Sequence, residues 1–258
     1  MRIFKNTSFV CGATITGLLM LAQNGVIFSM PVFLQAVKQL DAFHTGLTLL
    51  PMSLALLIVS PLAATLTKRI PHKRLIQTGI VINIMAILLL RFVLSADMSL
   101  ALLIPGLALY GAGLGLVLSQ INNLTLSSVP VREAGEASGL TNTFRQIGSS
   151  LGAAIIGAIL LTTILASLEA DVAQSPRIPQ SSKTPIANML RAESSSLAFG
   201  GAEIFARVEP ATRTEMVQLR RAATTTGNRR ALLYGAVFLV IALLVSTKLP
   251  LRPNEESH

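Results

Sequence analysis

The sequence predicts an all-α membrane protein with six transmembrane helices, and three observations carry that prediction. Hydrophobic residues make up 52% of the 258-residue chain and charged residues only 13%. An ordinary soluble domain carries about 25% charged residues, so this chain cannot cover a globular surface with charge. Mean hydropathy is +0.64. Second, the chain holds six runs of about 20 predominantly apolar residues, the length needed to cross hydrocarbon as a helix. Third, basic residues gather in the short connections between the runs, as in cytoplasmic membrane loops. Strand barrels alternate polar and apolar residues. Ala101-Leu-Leu-Ile-Pro-Gly-Leu-Ala-Leu-Tyr110 does not alternate.

The first span runs from about Val10 to Ala36, too long and too rich in Gln23, Asn24 and Pro31 for a cleaved signal peptide. The second covers Gly46 to Leu66, the third Leu75 to Ser95, and the fourth Leu100 to Leu124. The fifth covers Thr143 to Leu165 and the sixth Ala231 to Leu249. Residues 1–165 thus hold five spans, and 229–258 hold the sixth with a tail. Between them, Ala166 to Asn228 is rich in Ser, Pro, Thr and Arg and reads as a long extracytoplasmic loop. Ser175 to Pro185 is irregular; from Ile186 to Ala223 helix formers return, with Leu197, Met216 and Leu219 able to form short apolar faces. Such a loop is a partly helical insert or lies on the membrane surface through its arginines.

Orientation follows from the turn Lys68-Arg-Ile-Pro-His-Lys-Arg74, four basic residues in seven. Placing Lys68, Arg69, Lys73 and Arg74 in the cytoplasm puts Arg2, Lys5, Arg132, Lys248 and Arg252 there too. Both termini are then cytoplasmic, in the inner or plasma membrane. Arg229 and Arg230 fall outside, at the end of a long loop where the rule is weak. The net charge of +9 comes with no Trp and 5% aromatics, which excludes a stacking nucleic-acid surface. Cys11 is the sole cysteine, so no intrachain disulfide or thiolate cluster forms. His44, His72 and His258 all lie outside the spans, and no nucleophile–base pair sits at depth. An enzyme is excluded, and no cofactor or metal is expected.

Polar side chains inside a membrane mark function or interhelical contact. No Asp or Glu lies near the centre of any span, and Arg91 sits within reach of an interface. Gln23 and Asn24 fall at mid-depth in span one, and Gln120, Asn122 and Asn123 near one end of span four. These five are candidate cavity-lining residues, with interhelical hydrogen bonding as the alternative. Asn142, Arg145 and Gln146 share one helical face at the start of span five. They are a candidate inner gate; alternatively Arg145 snorkels to the interface. Gly111/Gly115 and Gly148/Gly152 are small-xxx-small pairs suited to close helix packing. Span six has no polar face and is expected on the lipid-facing perimeter.

Three stretches resemble the C-terminal half of the major facilitator superfamily, in its fourteen-helix drug:proton antiporter branch. They are Ile3-Phe-Lys-Asn-Thr-Ser-Phe9, then Gly46-Leu-Thr-Leu-Leu-Pro51 with Ser60-Pro-Leu-Ala63 and the basic turn, and then Val129 to Gly148. The last reads Val-Pro-Val-Arg-Glu-Ala-Gly-Glu-Ala-Ser-Gly-Leu-Thr-Asn-Thr-Phe-Arg-Gln-Ile-Gly and is the most specific. The resemblance implies a six-helix half-bundle of two inverted three-helix repeats and export of small amphipathic molecules by alternating access. It implies that spans one and four line the cavity while three and six lie outside. Two departures stand out. The family's loop acid is replaced by Lys68, with Ala64 and Pro71 at its glycines, and the helices expected before Met1 are missing. The expected partners are membrane lipid, a small-molecule substrate, and an N-terminal half or a second copy. An inactive fragment and an accessory protein acting through residues 166–228 are the other readings.

Overall fold

The computed structural model describes residues 3–192 and 210–249; Arg2, Leu197, Arg252 and His258 lie outside them. The helices are α1 (Thr7–Ala36), α2 (Ala42–Leu66), α3 (His72–Val93), α4 (Leu103–Ser127), α5 (Ala134–Gln174), α6 (Gln180–Ala192) and α7 (Pro210–Ser246). All but α6 are long and apolar enough to cross a membrane. The chain is a multi-pass membrane protein.

Local chemistry starts and stops these helices. The Asn6 carboxamide oxygen accepts the backbone N–H groups of Ser8 and Phe9 at 3.0 and 3.2 Å, capping α1. Its amide nitrogen donates to the Ser128 carbonyl, which ties α1 to the segment after α4. After α1, Gln39 takes a left-handed φ of 57°, and the chain reverses. Asp41 then caps α2, accepting the His44 N–H at 2.7 Å and facing its ring nitrogen at 2.8 Å. The His44 backbone N–H, and then its ring, hold the Asp41 carboxyl below the usual carboxylate range.

Two triplets of helices form the bundle. α4 packs against both α2 and α3, while α1 packs against both α5 and α7; α7 also meets α3 and α5 and so joins the two groups. Close backbone approach explains the glycine pairs. A β-carbon at Gly111 would collide with the Met52 carbonyl, and one at Gly115 would lie 3.1 Å from that of Leu56. On the other seam, β-carbons at Gly148 and Gly152 would collide with the carbonyls of Gly17 and Leu21. Ile15, Leu19, Phe33, Ile80, Leu90 and Tyr110 are among the fully buried side chains of the central core.

Coverage is uneven. The span of α1 is 61% buried and that of α2 only 6%. Leu47, Leu50, Leu54, Leu57 and Ile58 of α2 are exposed, which hydrocarbon or a partner tolerates and water does not. α7 is two-sided. Ala231, Leu232, Ala236, Leu239 and Ala242 are buried, while Leu233, Val237, Val240 and Leu244 are exposed. Its all-round apolarity reflects protein on one face and lipid on the other, so α7 is a packing partner as well as a perimeter helix.

Much of the stretch 166–228, expected above as a loop, is helical among the described residues. α5 runs on to Gln174 because Ala166 to Gln174 contains neither Gly nor Pro, and α7 already begins at Pro210. With 41 residues, α5 is about 60 Å long against a hydrocarbon core of about 30 Å. Ile178, Ile186 and Leu190 pack on Leu168, Val172 and Met216, forming a small cap on the bundle. Arg191 pairs with Glu169 at 2.7 Å and Arg177 with Glu215 at 2.9 Å. These two arginines thus face carboxylates within the cap instead of a lipid surface.

Candidate functional site

The two ends of the bundle differ in chemistry. One carries the turn Lys68–Arg74, the start of α5 and the end of α7, and is here the basic end; the other carries the cap. At the basic end, α4 and α5 frame a concave site of about 450 Å³ lined by Asn122, Ser138, Gly139, Thr141, Asn142 and Arg145. α5 supplies five of these because Ser138, Thr141, Asn142 and Arg145 recur at spacings of three and four, which align them on one face. Gly135 and Gly139 meet no neighbour where a β-carbon would stand, so this stretch of α5 is uncovered.

Arg145 organises the site. One guanidinium nitrogen donates to the Asn122 carboxamide oxygen at 3.2 Å, joining α5 to α4. Its Nε is buried without a partner, and no carboxylate pairs with it among the described residues. Asn142 is exposed beside it, and Thr141 is buried with its hydroxyl donating to the Ala137 carbonyl. A cation with unused donors, flanked by amides and hydroxyls, suits an acceptor group arriving from outside this chain. Gln146 is exposed on the same helix but does not line the pocket.

The candidate cavity residues do not form one surface. Gln120 is fully buried against α3, where its carboxamide oxygen lies 2.8 Å from Nδ1 of His72. Its neighbour Asn122 faces α5 instead, because two residues along a helix turn the side chain by about 200°. Asn123 is exposed and donates only to the Ser119 carbonyl of its own helix at 3.3 Å. At mid-depth Gln23 and Asn24 are half-buried; Asn24 donates back to the Met20 carbonyl at 2.9 Å, while the Gln23 oxygen is buried without a partner. Thus Asn122 joins Asn142 and Arg145, Gln120 is an interhelical lock, and Gln23 and Asn24 stand apart on α1.

In the basic turn, Lys68, Arg69 and Arg74 are exposed. Lys73 is occupied: its ammonium donates to the Thr247 and Leu249 carbonyls at 2.6 and 2.7 Å, closing the end of α7. The cap end repeats the device. Arg229 donates to the Leu94 carbonyl at 2.8 Å at the end of α3, and Lys38 donates to the Ala96 carbonyl at 2.6 Å. Asn83 of α3 is a further polar residue at depth. It is fully buried in α3 with both amide atoms unpartnered, and a β-carbon at Gly113 of α4 would press on it. An amide in the apolar run Gly79 to Leu90 was the available signal.

Comparison with known proteins is consistent with this architecture. Over 169 residues the chain is 35% identical to the multidrug resistance protein Stp of Mycobacterium tuberculosis, covering 66% of this chain and 31% of that protein. It is 24% identical over 246 residues to the multidrug efflux pump LfrA of Mycolicibacterium smegmatis, covering 94% of this chain and 46% of LfrA. It is 28% identical over 160 residues to the multidrug transporter protein MdtP of Bacillus subtilis, covering 62% of this chain and 29% of MdtP. The chain therefore spans less than half the length of these curated relatives. The Major Facilitator Superfamily profile matches residues 1–153, which include α1 to α4 and the start of α5 with Arg145. Six apolar helices, two glycine-closed helix seams and this match together identify the chain as a member of the Major Facilitator Superfamily.

Proposed function

We propose that this chain forms one half of a membrane exporter of drugs or other small amphipathic molecules, working by alternating access in a proton-coupled antiporter. The observation that carries the reading is the polar site around Arg145. It lies at one end of the bundle, where Ser138, Gly139 and Asn142 are exposed and Arg145 is half-buried. Relatives named for multidrug resistance and efflux favour the substrate class. The basic end faces the cytoplasm in the inner or plasma membrane, with both chain ends on that side. There the amides of Asn122 and Asn142 with Arg145 form half of an inner gate, and the other half supplies the acceptor that closes it.

An N-terminal half is the expected partner, seated across α2 and α5, where apolar and small polar side chains lie uncovered. A second copy of this chain is the alternative occupant. No Asp or Glu lies near the centre of a span in this sequence, so the proton-carrying carboxylate belongs to the partner. The test is ethidium efflux from pump-deficient cells expressing the chain with whatever coding sequence precedes it. Efflux that stops when the proton gradient is collapsed, and that Arg145→Ala slows about tenfold, is the expected result. Unchanged dye retention, or efflux indifferent to the gradient, would sink the reading.

A further inference from the structure

At the basic end, α1 and α7 enclose a second groove, of about 380 Å³, lined by Val10, Cys11, Thr14, Leu244, Val245 and Lys248. Cys11 is buried in its floor, and Val10, Thr14 and Val245 are half-buried. The outer rim belongs to an outward-facing row of α7. Val237, Ile241 and Leu244 recur there at spacings of four and three and are 46%, 41% and 64% exposed. Lys248 ends that row, just past the helix, and is exposed. Among the described residues that line the groove, it carries the only charge. The groove is therefore apolar for a helical turn and then cationic, in the order in which a bilayer passes from acyl chain to headgroup.

A lysine at the C-terminal end of a helix ordinarily turns back on the last carbonyls of that helix. Here that place is taken. Lys73 of the basic turn donates to the carbonyls of Thr247 and Leu249, on either side of Lys248. The same bonds bring a second ammonium to this end of α7, and the exposed Arg74 follows it in the chain. Lysines and arginines at a membrane surface attract acidic lipids, and basic pockets between transmembrane helices hold acidic headgroups.

We infer that the groove between the start of α1 and the end of α7 seats an acidic phospholipid. One acyl chain lies along Val10, Leu244 and Val245, and the phosphate accepts from the Lys248 ammonium. The lipid thereby fills the slot beside the α1–α7 seam with a ligand whose charge complements that helix end. This inference needs only that the six helices cross a bilayer, so it stands or falls apart from the transport reading.

Cys11, the sole cysteine, reports on the groove it lines. The purified full chain is placed in vesicles of phosphatidylcholine alone, or of phosphatidylcholine mixed with phosphatidylglycerol, and treated with N-ethylmaleimide. Phosphatidylglycerol should slow modification of Cys11 about fivefold, the gain in occupancy expected for one lysine at an acidic surface. Lys248→Arg should keep that difference. Lys248→Gln should remove it and leave the rate in phosphatidylcholine unchanged. Native mass spectrometry should show phosphatidylglycerol retained in preference to phosphatidylcholine by the parent and not by Lys248→Gln, and this decides alone if Cys11 resists the reagent in both vesicles. Equal rates, or equal retention of the two lipids, would mean that any phospholipid lines the groove, and the inference fails. A slowing that survives Lys248→Gln would report only the surface charge of the vesicle, and it fails again. It fails too if protection appears only when Glu255→Gln and Glu256→Gln are combined, since the groove then belongs to the chain's own carboxylates.

Discussion

Arg145 on α5 and Arg220 on α7 occupy opposite ends of the same bundle and meet the cost of burying a guanidinium in different ways. Arg145 borders an open site of about 450 Å³ and donates to a side-chain amide, Asn122, on a neighbouring helix. Arg220 sits in a closed seam and donates to a backbone carbonyl at the end of α1. Side-chain acceptors can be exchanged for others as helices move, whereas a helix-end carbonyl is fixed. The cap end also uses Arg229 and Lys38 on the carbonyls of Leu94 and Ala96. It is stapled; the site at the basic end is left able to rearrange.

The contrast is most easily broken at the seam both ends share. Gly148→Val would force α5 away from the Gly17 carbonyl of α1, and overpacking of this kind costs about 1–3 kcal/mol or more. We expect a large loss of folded protein, read as the monodisperse fraction by size-exclusion chromatography. Arg145→Ala is next: the tenfold loss of efflux should come with an unfolding midpoint within about 1 °C of the parent, since its one bond goes to a half-buried amide that water can reach and its buried Nε has no partner to lose. A comparable fall in stability would make Arg145 a structural staple like Arg220.

Arg229→Ala should do the reverse. Losing the bond to the Leu94 carbonyl is worth about 0.5–1.5 kcal/mol, visible as a lower unfolding midpoint with efflux retained. The smallest effect belongs to Asp41, whose carboxyl is held below the usual range by His44. A depressed carboxyl stabilises the fold above its unfolded pKa and loses that contribution as pH falls through its folded pKa. Asp41→Ala should therefore lower the midpoint slightly at pH 7, and parent and variant should converge at pH values well below about 4.

Much of the bundle can be read from residues alone, because runs of apolar residues and a Lys68–Arg74 turn are local signals. The grouping of Asn142 with Arg145 is local in the same sense, both being on one face of one helix. What escapes is whatever depends on a partner far along the chain. Gln120 looks like its neighbours Asn122 and Asn123 until His72, 48 residues away, is seen to hold it. Arg220 reads as one more basic residue in a polar insert until the end of α1 is placed against it. The extension of α5 to Gln174 and the start of α7 at Pro210 are hidden by composition, since Ser, Thr and Arg suggest a loop; α5 meets no Gly or Pro there, and α7 runs through Gly227 without a break.

That continuation has a mechanical consequence. α5 and α7 enter the cap as unbroken helices of 41 and 37 residues, with α6 packed against α5. Any tilt of these helices in the membrane is then carried to the cap undiminished. Over a lever of about 60 Å, a tilt of about 10° displaces the tip by about 10 Å. A spin label at exposed Ser181, on the cap helix α6, would register that swing as a change in distance, making the cap a pointer for the motion of the helix that carries Arg145.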